Sequence, residues 1–137
     1  MDRRPVNIPH RVLFIGNSYT YCNDLPELFG RIARAYGYNV EIRSVTKGGH
    51  KLEWHADPND ECGAMTEALL GNEHFDAAVL QEYSIRPALE DKTPFFSAVQ
   101  MLCGKLRRNG VLRILLYQTW GRKEPCETLA EHGWTNR

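Results

Sequence analysis

The sequence has no excess charge of either sign: 17 Lys and Arg face 17 Asp and Glu among 137 residues. That balance argues against a nucleic-acid partner and against an anionic membrane surface. Long apolar runs are missing too. Behind the polar N-terminal stretch MDRRPVNIPH, the run from Val12 to Ile15 is far too short for a secretory h-region or a membrane span. The four cysteines (Cys22, Cys62, Cys103, Cys126) form no C-x-x-C pair and no metal-ligand spacing. They read as reduced thiols in a cytoplasmic protein, Cys103 acting as a small hydrophobe on an apolar helix face. G-x-G-x-x-G and G-x-x-x-x-G-K-[ST] are both absent, so no nucleotide fingerprint is present and no cofactor is expected. No metal is expected either. Asp57, Asp60 and Glu61 with His55 lack a recognised spacing and read as a solvated acidic loop. Internal repeats, low-complexity tracts and linkers are also lacking.

What is present is an ordinary globular composition, 42% apolar and 25% charged, on a length that suits one domain over residues 1–137. Strand and helix signals alternate. Arg11–Asn17 contains VLFI, as a strand buried on both faces would. Asp24-Leu-Pro-Glu27 resembles a helix start with Asp24 as cap, and Leu25, Leu28, Phe29, Ile32, Ala33 and Tyr36 follow at helical spacing up to Gly37. Val40–Thr46 alternates as a second strand. Lys47–Cys62 is loop-like, with Gly48-Gly49, Asp57-Pro58 and Asn59-Asp60, and precedes a short helix at Gly63–Leu70. Phe75–Gln81 is a third strand, Pro94–Asn109 a helix closed by Gly110, and Val111–Gln118 a fourth strand. This alternation predicts right-handed βαβ units in a parallel α/β sheet covered on both faces.

In such a sheet, ligands bind beyond the carboxyl ends of the strands. Polar clusters stand at all four: Asn17-Ser18, Gly48-Gly49-His50, Gln81-Glu82 and Gln118-Thr119-Trp120. Ser18 is the nucleophile candidate. Its own N–H, a glycine N–H at the second strand end and the Gln81 amide at the third could converge as an oxyanion hole. The competing reading is a serine that caps a turn and an amide that satisfies loop backbone. Asn17 and Glu82 are candidate substrate contacts at the same rim. Trp54 and Trp120 either stack on a sugar or pack internally.

"VLFIGNSYTYCNDLP" resembles the first block of the SGNH hydrolases, the GDSL-like esterases, in particular a branch with Gly-Asn-Ser-[Phe/Tyr]-Thr. "GGHKLEWH" resembles that branch's second block and "VLQEYS" its third, in order, over roughly residues 11–120. The resemblance implies a three-layer α/β/α, flavodoxin-like fold and hydrolysis of carboxylic esters, often acyl groups on carbohydrate. It implies Ser18 as nucleophile, Gly49 as the second oxyanion donor with Gly48 as alternate, and Gln81 where the wider family has asparagine. The G-x-S-x-G elbow of α/β-hydrolases does not apply, because residue 20 is threonine.

A serine needs a base. The family supplies it from an Asp-x-x-His block, and neither that nor Glu-x-x-His occurs in this chain. Of the five histidines, His10 and His74 precede strands, at the wrong end of the sheet. His50, His55 and His132 remain as candidates. The expectation is therefore a sheet truncated after its fourth strand, with the last helix, a fifth strand and the Asp-x-x-His block missing together. It would leave an exposed edge through which copies could associate. Two other readings compete with the esterase: a non-catalytic binding module on the same fold, and a flavodoxin-like electron-transfer or signalling domain.

Overall fold

The computed structural model describes residues 9–121 and 127–133. Four parallel strands form one sheet in the order β2-β1-β3-β4: β1 (Arg11–Gly16), β2 (Glu41–Thr46), β3 (Ala77–Leu80) and β4 (Arg113–Leu116). Val12 registers with Ile42 on one side and Ala77 on the other, which places β1 centrally. Its VLFI run is buried throughout, as a strand flanked on both edges and covered on both faces requires. The helices are α1 (Ser18–Tyr21), α2 (Leu25–Ala35), α3 (Leu52–Ala56), α4 (Glu61–Asn72), α5 (Thr93–Asn109) and α6 (Glu127–Glu131). The fold is α/β with a parallel sheet flanked by helices, as expected. Among the described residues no helix is long and apolar enough to cross a membrane.

Alternation along the strands splits the core in two. Leu13, Ile15, Ala78 and Leu80 meet Leu52, Ala56, Cys62, Ala98, Leu102 and Leu106 from α3, α4 and α5. On the opposite face Val12, Phe14 and Ala77 meet Val40 and the α2 residue Ala33. The edge of Phe29 in α2 rests on Phe14, with ring centroids 5.9 Å apart.

Several boundaries differ from the sequence reading. The loop-like Lys47–Cys62 segment contains α3, and the next helix begins at Glu61 with Asp60 as cap, its carboxylate accepting from the Cys62 and Gly63 N–H groups. Asp24 does not cap α2. It stands in the left-handed region at φ 53°, next to Asn23 at φ 56°, and makes no capping bond. The apolar spacing in α2 also misleads, because Ile32 is 52% and Tyr36 79% exposed. The helix packs through Pro26, Gly30 and Ala33 instead. A Cβ at Gly30 would come within 2.8 Å of Ile42, so close approach rotates the contact face away from the larger side chains. Cys22, Cys62 and Cys103 are free thiols, and Cys126 lies outside the described residues.

Candidate active site

The site forms where β1 turns into α1. Gly16 closes the strand at a point with no room for a side chain: a Cβ there would lie 2.2 Å from the Thr20 hydroxyl and 2.6 Å from Gln81 Oε1. Asn17 follows, buried, as the N-cap of α1. Its Oδ1 accepts from the Tyr19 N–H at 3.0 Å, and its Nδ2 donates to the His50 carbonyl at 3.1 Å. Ser18, half-buried, is the first helical residue. Among the described residues no histidine is hydrogen-bonded to the Ser18 hydroxyl.

Gln81 continues from β3 and is buried. Its Oε1 accepts the Asn17 N–H at 2.9 Å and the Thr20 hydroxyl at 2.8 Å, while its Nε2 donates to the Glu82 carbonyl. The carboxamide thus straps the Ser18 turn to the third strand and spends one of its two amide hydrogens. At the second strand end, Lys47 to His50 makes a turn closed by His50 N–H donating to the Lys47 carbonyl at 3.2 Å. Gly49 sits in it at φ 69°, a conformation that favours glycine. Through the bonds of Asn17, the segments bearing Ser18, Gly49 and Gln81 are therefore held against one another.

The two histidines on this side are engaged elsewhere. His55, fully buried on α3, has Nε2 at 2.9 Å from the Gly16 carbonyl. A carbonyl only accepts, so Nε2 carries the proton and Nδ1, which has no partner, is the bare acceptor. Burial pushes its pKa down to about 4, which keeps the ring neutral. His50, also buried, places Nε2 2.8 Å from Asp60 Oδ2, and its ring lies edge-on to those of Trp54 (5.0 Å) and His55 (4.9 Å). His132 stands in the exposed turn after α6.

Glu82 is a second strut. Its Oε1 accepts from the Leu52 N–H at 3.0 Å and the Tyr83 N–H at 2.6 Å, which fixes the start of α3. Its Oε2 is buried without a partner, and burial raises its pKa above the ordinary glutamate value. Glu82 also lines a cavity of about 520 Å³ at the ends of β3 and β4, with Leu80, Phe95, Leu116, Tyr117 and Trp120. Trp120 belongs to both regions, since its ring lies 4.9 Å from that of Tyr19, beside Ser18. Trp54 is on the other flank, partly exposed, with the Lys51 ammonium 5.0 Å above its ring.

Of the expected site residues, Asn17, Ser18, Gln81 and the Gly49–His50 segment come together directly. Glu82, Trp54 and Trp120 surround them. The sequence reading missed Thr20, the pairing of Asp60 with His50 and the buried role of His55. Thr20 was legible only as a departure from the G-x-S-x-G pattern, and the spacing Leu52, His55, Ala56 was the available sign that His55 faces inward on a helix.

No protein-family model matches the chain, and no curated relative does. Two solved structures are similar. One is a Slackia heliotrinireducens protein, itself a candidate SGNH hydrolase: 31% identity over 90% of this chain, with a TM-score of 0.79. This chain spans 64% of that protein's length. The other, protein YxiM of Bacillus subtilis, shares 19% identity and a TM-score of 0.56 over 89% of this chain and 36% of its own, a likeness of fold alone.

Proposed function

We propose that the chain is the nucleophile-bearing part of an SGNH-type ester hydrolase that acts on a small acylated substrate. The observation that carries this reading is the bonding of Asn17 to both the Gln81 carboxamide and the His50 carbonyl, which draws Ser18, Gly49 and Gln81 towards one rim. Similarity to the Slackia protein supports it. Ser18 Oγ attacks the ester carbonyl. The oxyanion that forms is held by the N–H groups of Ser18 and Gly49 and by the second hydrogen of Gln81 Nε2. Each such donor lowers the barrier by roughly 3–4 kcal/mol. Asn17 positions the turn and does not touch substrate. The serine proton passes to an imidazole brought to Ser18 Oγ, a contact that neither His50 nor His55 makes with its bonded Nε2. Exposed Trp54 and Trp120 flank the rim as stacking surfaces, which suits an acylated carbohydrate. The cavity beside Glu82 takes the apolar part of the ester.

Hydrolysis of p-nitrophenyl acetate by the full-length protein tests this. Ser18→Ala is expected to abolish turnover. Gln81→Glu keeps an acceptor for Asn17 and Thr20 and removes the amide donor, so its kcat should fall by at least about 10²–10³ while circular dichroism shows the fold retained. Activity unaffected by Ser18→Ala removes the nucleophile assignment. Binding of an acylated sugar without turnover would favour a non-catalytic module.

A further inference from the structure

The acidic loop that the sequence pairs with His55 is drawn instead to His50. Asp60, the cap of α4, and Cys62, in its first turn, both face the His50 ring. The ligand atoms of His50, Asp60 and Cys62 all lie within 4.8 Å of one another. We propose that these three side chains bind a single zinc ion, which staples the Gly48-Gly49-His50 loop to the start of α4.

The donor chemistry selects the metal. One imidazole nitrogen, one carboxylate oxygen and one thiolate sulfur form a mixed set suited to Zn²⁺, whereas Ca²⁺ and Mg²⁺ call for oxygen ligands. Binding displaces the Cys62 thiol proton, and the thiolate and the Asp60 carboxylate then carry two negative charges that a divalent cation neutralises. The Lys47 ammonium, whose charge acts on both groups, is already paired with Glu61 at 3.1 Å. Burial matters as well. His50 and Cys62 are both buried, so their rotamers are restricted, while the partly exposed Asp60 carboxylate leaves a way in for the ion and a water as fourth ligand.

The geometry needs little change. Around tetrahedral zinc, neighbouring ligand atoms stand about 3.3–3.6 Å apart. His50 Nε2, now 2.8 Å from Asp60 Oδ2, has to turn from that oxygen to the ion. Asp60 can keep its capping bonds from Cys62 N–H (2.9 Å) and Gly63 N–H (3.2 Å) while its other oxygen turns to the ion. Those bonds already orient the carboxylate, as outer contacts do at metal sites. Because the His50 carbonyl accepts from Asn17, an ion held here also stiffens the Ser18 turn.

The test is independent of hydrolysis, so it stands or falls apart from the esterase reading. Metal-free protein is titrated with Co²⁺ and then with Zn²⁺. One cobalt per chain is expected, with a near-ultraviolet thiolate-to-cobalt charge-transfer band that zinc abolishes, and zinc should raise the melting temperature. Cys62→Ser should eliminate the band and weaken zinc binding at least about tenfold, whereas Cys103→Ser should leave both unchanged. Asp60→Asn retains a capping side chain, so it folds even if the cysteine variant does not, and should also weaken zinc at least about tenfold. Failure to bind cobalt stoichiometrically, a band that survives Cys62→Ser, or unchanged zinc affinity in Asp60→Asn overturns the proposal.

Discussion

The two faces of the sheet are built to different standards. On one, α3, α4 and α5 bury Leu13, Ile15, Ala78, Leu80, Leu102 and Leu106 completely. On the other, a single helix, α2, covers β1 and β2, and the buried set is Val12, Phe14, Val40 and Ala77. Among the described residues the cover stops beyond α2. Leu115 on β4 registers with Val79 on this thinner face and is 58% exposed. The difference indicates where stability and chemistry are anchored. The densely packed face carries α3 and α4, and these deliver His55 to Gly16, Leu52 to Glu82 and Asp60 to His50. The thinner face touches none of those bonds.

Truncation in the dense core should produce the largest effect. Leu102→Ala removes a fully buried side chain and leaves a hole between α5 and the sheet, so unfolding free energy from urea titration should drop by about 2–5 kcal/mol. A loss under 1 kcal/mol would show that the two faces are not so different. Acid should produce the next effect, first through His55 on the dense face. His55 has a folded pKa near 4, against about 6.5 when unfolded, so below pH 6.5 the unfolded chain takes up the proton first. The contribution is complete above pH 6.5 and drains away as pH falls toward 4, amounting to about 3 kcal/mol. His55→Gln, which keeps a donor for the Gly16 carbonyl, should flatten that stretch of the stability–pH curve. Asp60 and Asp76, whose carboxyls lie below their ordinary values, add acid sensitivity at lower pH in either protein. The smallest effect belongs to the thin face. Leu115→Ala should shift stability by no more than about 0.5 kcal/mol, because little area is withdrawn from water there. A larger loss on urea titration would mean that Leu115 is covered in solution.

The strands were legible because a parallel strand buried on both faces must be apolar along its length, and VLFI and AAVL are. Helix α5 was equally open, with Pro94 in its first turn and Gly110 beyond its end at φ 101°. Helix α3 escaped notice because it has five residues, set between Gly48-Gly49 and Asp57-Pro58, and its inward side includes a histidine. Asp24 escaped for a different reason: a capping residue type says nothing about the φ its own backbone must adopt. At the site, the order of Ser18, Gly49 and Gln81 along the chain pointed to a shared rim. The task of Gln81 did not show, because its partners Asn17 and Thr20 lie more than 60 residues away. Likewise no local pattern links His50 to Asp60, which only the path of α3 brings back.

The crowding at Gly16 has an evolutionary corollary. Even a methyl group there would have to displace both the Thr20 hydroxyl and the Gln81 oxygen, so alanine already disturbs the strap. Variation at this codon is therefore closed off unless residues 20 and 81 yield, so a lineage that replaces Gly16 should carry a smaller or re-oriented side chain at 20 or 81.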